Sequence, residues 1–306
     1  MRLVNYKFDF VRTRKIYYLI SFILLTVGLV SLLVQQLNLG IDFQSGSRLD
    51  IDVGKKIELA KGKEVLRKLG YKNPNARIGG KQQQILIFRT DQVMNTAEIE
   101  KIKKEFEKTF QTSVHIQEQV VDPIIGRELA RNAMISIIIA SVAMVIYVSI
   151  RFEFRFAIAA IIALLHDALF TIGVFSLFQI EVDVVFIAAL LTIVGYSIND
   201  TIVIFDRIRE NMEKMTQKWT WDRLAEVVNQ SIHQTLVRSI NTALTVIFAA
   251  LALYIFGGDS IRNFALALLL GLVSGAYSSI FIASQIWVDW KWRSIRKTAM
   301  TEANSK

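Results

Sequence analysis

Residues 195–211 read GYSINDTIVIFDRIREN and place one carboxylate, Asp200, inside a segment otherwise apolar enough to cross a bilayer. An ionisable group at membrane depth costs roughly 2.5–3.5 kcal/mol even on insertion scales. A chain that keeps one has a partner for it, a water path to it, or a position near a helix end from which it reaches the headgroups. A carboxylate with a water path can take up and release a proton. It can also hold Na⁺, and the oxygens of Ser197, Asn199 and Thr201 beside Asp200 suit either ion.

The companions of Asp200 are spaced as one face of a helix. Thr192, Gly195, Tyr196, Asn199 and Asp200 follow the i, i+3, i+4, i+7, i+8 pattern. Such a stripe must face protein or water, since lipid satisfies none of it. In the next apolar segment Arg238, Asn241, Thr242 and Thr245 repeat the spacing. Arg238 and Asp200 lie at the near ends of two segments joined by one loop, so their depths match. Two readings stand for Arg238: an ion pair that offsets the burial of both charges, or a side chain that snorkels as an inside-positive anchor.

Two further polar residues, His166 and Asp167, sit near the middle of a third apolar segment, with Thr171 one turn on from Asp167. A histidine titrates near neutral pH and can relay protons. The competing reading is interhelical hydrogen bonding that holds a bundle together. In the last segment Ala267, Gly271, Gly275, Ser279 and Ala283 repeat every fourth residue. That ridge of small residues lets another helix approach closely.

Other chemistries find less support. Asp167 and Asp200 are the pair an intramembrane aspartyl protease would need. However, Asp200 follows S-I-N rather than a glycine-flanked motif, and Asp167 belongs at another depth. No HExxH and no phosphate-binding loop occurs. With no cysteine, disulfides and thiolate metal sites are excluded. No cofactor, metal or enzymatic activity is expected.

The elements that must position these residues are membrane helices. The chain has 306 residues, 53% of them hydrophobic, a composition of polytopic membrane proteins. Six runs approach the ~20 residues a spanning helix needs: 16–37, 134–150, 156–178, 184–205, 240–256 and 264–287. The first is too long for a signal-peptide core and is expected to be a retained anchor. The two prolines, Pro74 and Pro123, fall outside the runs, so no span needs a proline kink.

Net charge is +9, but its distribution follows membrane topology and not a nucleic-acid surface. Arg2, Lys7, Arg12, Arg14 and Lys15 precede the first run. Arg151 and Arg155 join the second and third, and Arg207, Arg209, Lys214, Lys218 and Arg223 the fourth and fifth. Lys291, Arg293, Arg296 and Lys297 follow the sixth. The positive-inside rule then makes both termini cytoplasmic, residues 1–15 and the basic tail 291–306 included. Trp287, Trp290 and Trp292, with Tyr17 and Tyr18, are expected at the inner interface.

Residues 38–132 become an extracytoplasmic domain, ahead of a five-helix bundle over 133–290. Arg48–Val53 alternates as a strand, and Ile57–Leu69 has helical spacing. Ala76–Ile78 and Gln84–Phe88 flank Gly79-Gly80, Thr96–Phe110 is a helix capped by Thr96, and Ser113–Val120 is a last strand. The order β-α-β-β-α-β predicts a ferredoxin-like α+β unit. It holds no catalytic cluster, and His115 is an ordinary strand residue.

The chain also resembles a known family, the SecF side of the SecD/SecF protein-export proteins. GYSINDTIVIFDRIREN is similar to the family's signature, and QTLVRSINTALT at 234–245 is similar to its next-helix motif. LGIDFQSG at 39–46 resembles its GIDFxGG element, with Ser45 where glycine is usual, and YIFGGDSIRNFALALLLG at 254–271 fits as well. The resemblance implies six transmembrane helices in a resistance-nodulation-division-like half, completed by SecD. It implies a multi-pass protein of the bacterial cytoplasmic membrane that uses the proton or sodium motive force to promote late steps of preprotein export. It places the essential aspartate at Asp200 and the essential arginine at Arg238. The implied partners are SecD, the SecYEG channel, SecA indirectly, YajC, unfolded preprotein and membrane lipid, with no nucleic acid. An ion-gradient-driven small-molecule exporter of the same superfamily is the alternative, and a purely structural subunit a third.

Overall fold

The computed structural model describes residues 8–44, 46–80, 82–216 and 219–304. Arg2, Lys7, Ser45 and Lys218, which entered the sequence reading, lie outside them.

Helix α1 (Arg14–Gln35) leads into a two-residue strand β1 (Asn38–Leu39) and a single turn α2 (Ile41–Gln44). The α+β domain follows as β2 (Gly46–Asp52), α3 (Leu59–Lys68), β3 (Asn75–Gly79), β4 (Ile85–Thr90), α4 (Thr96–Phe110) and β5 (His115–Val121). Its antiparallel sheet runs β3-β4-β2-β5, the strand order of the split βαβ unit. Leu49, Ile51, Leu86 and Phe88 alternate onto one face, where Leu66, Ile102 and Phe106 of α3 and α4 cover them. Helix α4 is capped by Asn95 and not by Thr96. Asn95 accepts from Glu98 N at 2.9 Å while Glu98 returns a bond to Asn95 N, a reciprocal capping box that Thr96, inside the helix, does not make. His115 is exposed on β5 opposite Asp52.

The bundle comprises α5 (Pro123–Arg151), α6 (Phe154–Leu177), the two-residue β6 (Glu181–Val182), α7 (Val184–Glu213), α8 (Trp221–Phe256) and α9 (Asp259–Ser278). A π-helical turn at Ser279–Ala283 then continues as α10 (Ser284–Asn304). Several helices outrun their apolar runs because caps decide their ends. Asp122 accepts from Ile124 N at 2.8 Å and Pro123 occupies the first turn, so α5 starts well before Met134. Thr220 caps α8 in the same way, at 3.4 Å from Arg223 N. The basic segment after residue 290 is helical through Asn304.

Six helices are long and apolar enough to cross a membrane. Phe22, Leu33, Ile139, Ile150 and Phe256 project from the bundle and are well exposed, an apolar belt that only lipid or other spans can cover. The most apolar stretch of α5 is 6% buried and that of α8 17%, against 50% for α6. Helices α6, α7 and α9 are therefore the centre, and α5 and α8 the rim.

Two packing features bear on the site. Gly28 of α1 and Gly173 of α6 meet backbone to backbone, so that a Cβ on Gly28 would lie 3.0 Å from Gly173 Cα. Trp287 is fully buried and stacks on Phe156 at 4.5 Å. It is thus a core residue rather than an interface anchor, because the helix face it occupies packs on α6. Tyr17 is likewise turned inward, bonded to Thr13 at 2.6 Å.

Candidate functional site in the membrane bundle

Helix α7 is unbroken from Val184 to Glu213, because Asp183 caps its start by accepting from Phe186 N at 2.7 Å. At 1.5 Å per residue Asp200 lies about 24 Å along it, still within a hydrocarbon core of about 30 Å. Arg238 lies about 27 Å from the Phe256 end of α8 by the same rise, so the two charges share a depth.

Asp200 is buried at 9% exposure, and among the described residues its Oδ2 accepts no hydrogen bond. Ser239 of the flanking helix α8 turns toward this carboxylate. The expected Asp200–Arg238 contact is not closed. The buried stripe of α8 runs through Ile232, Thr235, Ser239 and Ala243, and Arg238 is one helical step off it, on an exposed surface with Asn241, Thr242 and Thr245. Helical phase explains this: adjacent residues differ by about 100° in azimuth. Thr242 satisfies its hydroxyl locally, on Arg238 O at 2.8 Å.

Arg238 instead lines a groove of ≈ 390 Å³ on the α7–α8 flank, with Asn199, Asp206, Gln234 and Thr235. Asn199 and Thr192 are exposed and Tyr196 is half-buried. The polar stripes of α7 and α8 thus border one open flank of the bundle.

The second carboxylate has the opposite surroundings. Asp167 is 1% exposed and accepts from Ser197 at 2.6 Å, Ser274 at 2.6 Å and Ser278 at 2.7 Å, with His166 Nδ1 at 3.1 Å. His166 Nε2 reaches Ser21 of α1 at 3.1 Å. Helices α1, α6, α7 and α9 therefore share one buried polar knot. Ser274 and Ser278 stand three residues beyond Gly271 and Gly275, a serine stripe beside the small-residue ridge. That spacing was visible in the sequence, but its direction was not.

The ridge itself packs on α7. A Cβ on Gly271 would strike the Ile193 side chain, and one on Gly275 would lie 3.1 Å from Ser197 Cβ. One turn on, Thr201 bonds Ser279 at 2.8 Å at the start of the π-helical turn. Ser284 and Gln285 donate to the carbonyls of Ser279 and Ile280, which satisfies backbone groups that a widened turn leaves over.

A protease dyad requires two carboxylates sharing a proton. The oxygens of Asp167 are taken by hydroxyls and by His166, and Asp200 is not among its partners. Among the described residues no group of three or more His, Asp or Glu side chains is placed to hold a metal ion.

The family described as "Protein export membrane protein SecD/SecF, C-terminal" matches residues 101–293, and "SecD/SecF GG Motif" matches 30–57. Protein translocase subunit SecF of Alicyclobacillus acidocaldarius is 45% identical over 294 residues, covering 95% of this chain and 95% of that protein. Protein translocase subunit SecDF of Bacillus subtilis is 45% identical over 291 residues, covering 95% of this chain but 39% of that protein. The crystal structure of SecDF from Thermus thermophilus, a translocon-associated membrane protein, superposes with a TM-score of 0.85 at 33% identity, over 95% of this chain and 40% of that one. The chain thus spans about two fifths of the SecDF proteins and nearly the whole of the SecF proteins. It is a multi-pass membrane protein and belongs to the SecD/SecF family of protein-export membrane proteins.

Proposed function

We propose that this chain is the SecF half of an ion-gradient-driven accessory motor for protein export, completed by SecD and acting beside the SecYEG channel. One observation carries the reading: a carboxylate, Asp200, is buried at membrane depth with an unpartnered oxygen, next to a polar flank that only another protein or water can cover. SecD supplies the covering surface. SecA, YajC and the emerging preprotein are the remaining partners. The basic connections put both termini in the cytoplasm and the α+β domain outside. The chain transmits force and catalyses no covalent step.

Ionised, Asp200 draws Arg238 toward it; protonated, it releases Arg238, and α7 and α8 shift against the partner. A proton crossing 100 mV supplies about 2.3 kcal/mol, enough to bias a two-state element. His166 and Asp167 hold α7 in place as bundle supports, and Tyr196, Asn199 and Thr242 line the flank that the partner covers.

The test is export of a secreted reporter from cells depleted of the wild-type protein, with and without a proton gradient, and again with a sodium gradient alone. Asp200→Asn should co-purify with its SecD partner yet lose the gradient-dependent part of export. Normal export by that variant would end the motor reading, and loss of the partner would make Asp200 a packing residue. Restoration of wild-type export by sodium alone would name Na⁺ as the ion.

A further inference from the structure

The sheet of the α+β domain has a second face, turned away from α3 and α4. On it Arg48 of β2 and Arg89 of β4 stand directly opposite in register, and Arg77 of β3 lies beside them. Like charges opposite one another across strands repel. Here the side chains of Arg48 and Arg89 are only 13% and 11% exposed. Burial, with the Arg77 and Arg48 guanidiniums nearby, pushes Arg89 down to about 10. Asp50 takes Arg48 through two bonds of 2.8 and 2.9 Å. Further counter-charge comes from outside the domain.

Asp183 acts on Arg89 through charge, and the direct contact is made by Glu181, in the β6 turn between α6 and α7. Its side chain is 3% exposed, and Oε2 meets Arg77 at 2.9 Å and Arg48 at 3.9 Å and is in direct contact with Arg89. The backbone there is held on both sides. Asn38 and Leu39 pair with Glu181 and Val182 as parallel strands, Gly40 N donates to Val182 O at 2.7 Å, and Asn263 donates to Glu181 O at 3.1 Å. A Cβ on Gly40 would lie 3.0 Å from Glu181 Oε1, so a larger residue would crowd the carboxylate. Asp42 completes the junction: it accepts from Val184 N at 3.1 Å and from Gln119 of β5 at 3.3 Å. The first turn of α7 is thereby bonded to the sheet domain, and the same uninterrupted helix carries Asp200.

We propose that Glu181 is the positioning residue that couples α7 to the sheet domain: its carboxylate clamps the Arg48–Arg77–Arg89 face onto the entrance of α7, so that the domain follows the helix. This rests on the motor reading above and adds the route by which movement at Asp200 leaves the membrane. Removing one member of a buried ionic cluster leaves the others uncompensated. Glu181→Gln preserves size but removes the carboxylate that Arg77 and Arg89 share, so the face should lift off α7. Glu181→Asp keeps the charge and should retain most of the clamp.

Because the chain has no cysteine, Arg67→Cys on α3 and Phe178→Cys after α6 accept spin labels cleanly. Distances between them are measured by pulsed electron resonance on the full chain in nanodiscs, and gradient-dependent export is measured in parallel. The expected result is a narrow distance distribution with Glu181 and with Glu181→Asp, and a broad one with Glu181→Gln. Export by Glu181→Gln should fall roughly fivefold or more, the low end of a coupling between sites, with the SecD partner still bound. An unchanged distribution overturns the clamp. A broadened distribution with normal export, while Asp200→Asn loses export, overturns its place on the coupling route. Normal export by both variants instead identifies a failure of the motor reading, with the clamp still judged by the distances. If Glu181→Gln does not accumulate, Arg77→Gln replaces it. Arg77 is half-exposed, and an unchanged distribution with that variant equally overturns the proposal.

Discussion

Ser197 donates a hydrogen bond of 2.6 Å to Asp167 across the α6–α7 interface, one turn ahead of Asp200 on the same helix. Two carboxylates on neighbouring helices are thus treated in opposite ways. Asp167 is enclosed by three hydroxyls and an imidazole, whereas Asp200 keeps an oxygen without a partner beside Ser239 of α8.

That contrast separates the two residues experimentally. Asp167→Asn replaces an acceptor oxygen by a donor and leaves a buried hydroxyl unpaired, at about 1–3 kcal/mol. Asp200→Asn strands nothing and removes a buried charge. Denaturation of the purified chain in detergent should therefore show a loss of about 1–3 kcal/mol for Asp167→Asn and none for Asp200→Asn. Equal losses would contradict the division of roles.

The Gly28–Gly173 contact has no slack. A Cβ on Gly173 would come within 2.8 Å of Gly28 Cα, backbone that cannot step aside. Gly173→Ala should force α1 off α6 and lower stability by about 1–3 kcal/mol, as overpacking does. The same denaturation assay reads it, and loss of protection of α1 from proteolysis should accompany it.

The Gly271–Ile193 contact is different, because the obstacle is a side chain. Gly271→Ala alone should destabilise the α7–α9 interface, while the double variant Gly271→Ala/Ile193→Ala should recover part of that loss. The double-mutant cycle measures the coupling. Strict additivity of the two losses would mean that the helices do not meet there.

The N-terminal segment carries a pH signature. Burial raises the Asp9 carboxyl, but N–H donors of Arg12 and Val11, the Asn229 amide and the Arg12 guanidinium outweigh it and leave it below its usual 3.8. Asp9 also bonds Asn229 of α8 at 2.8 Å. A carboxyl with a depressed folded value stabilises above the unfolded value and loses that contribution as pH falls through the folded one. Amide exchange at Val11 should therefore accelerate as pH drops below about 4 relative to its intrinsic rate. Asp9→Asn should exchange faster at neutral pH and show no such step.

Much of the architecture is legible from local pattern. Apolar runs located six spans, and period-two and helical spacing around Gly79-Gly80 revealed the order of the α+β domain. Asp200 stood out because one carboxylate in an apolar run is visible without knowing any neighbour. Helix ends were less legible. Caps such as Asn95 and Asp122 set them, and the cap competes with Thr96 or with the edge of hydropathy, both of which pointed elsewhere.

Contacts between helices were the part that no local pattern contains. Periodicity showed that Arg238, Asn241, Thr242 and Thr245 share a face, but not that this face turns outward while Ser239 turns to Asp200. Its place among the tryptophans at the end of the last run marked Trp287 as interfacial, and packing against Phe156 buried it. The serine enclosure of Asp167 draws on four helices, and Glu181 meets Arg77 from 104 residues away. The sequence by itself determined which segments cross the membrane and which residues are too polar to face lipid, because burial cost is a property of each residue in its own run. Only the tertiary structure decided what each polar residue faces, because the rotation of one helix against the next is set by how all of their side chains pack together.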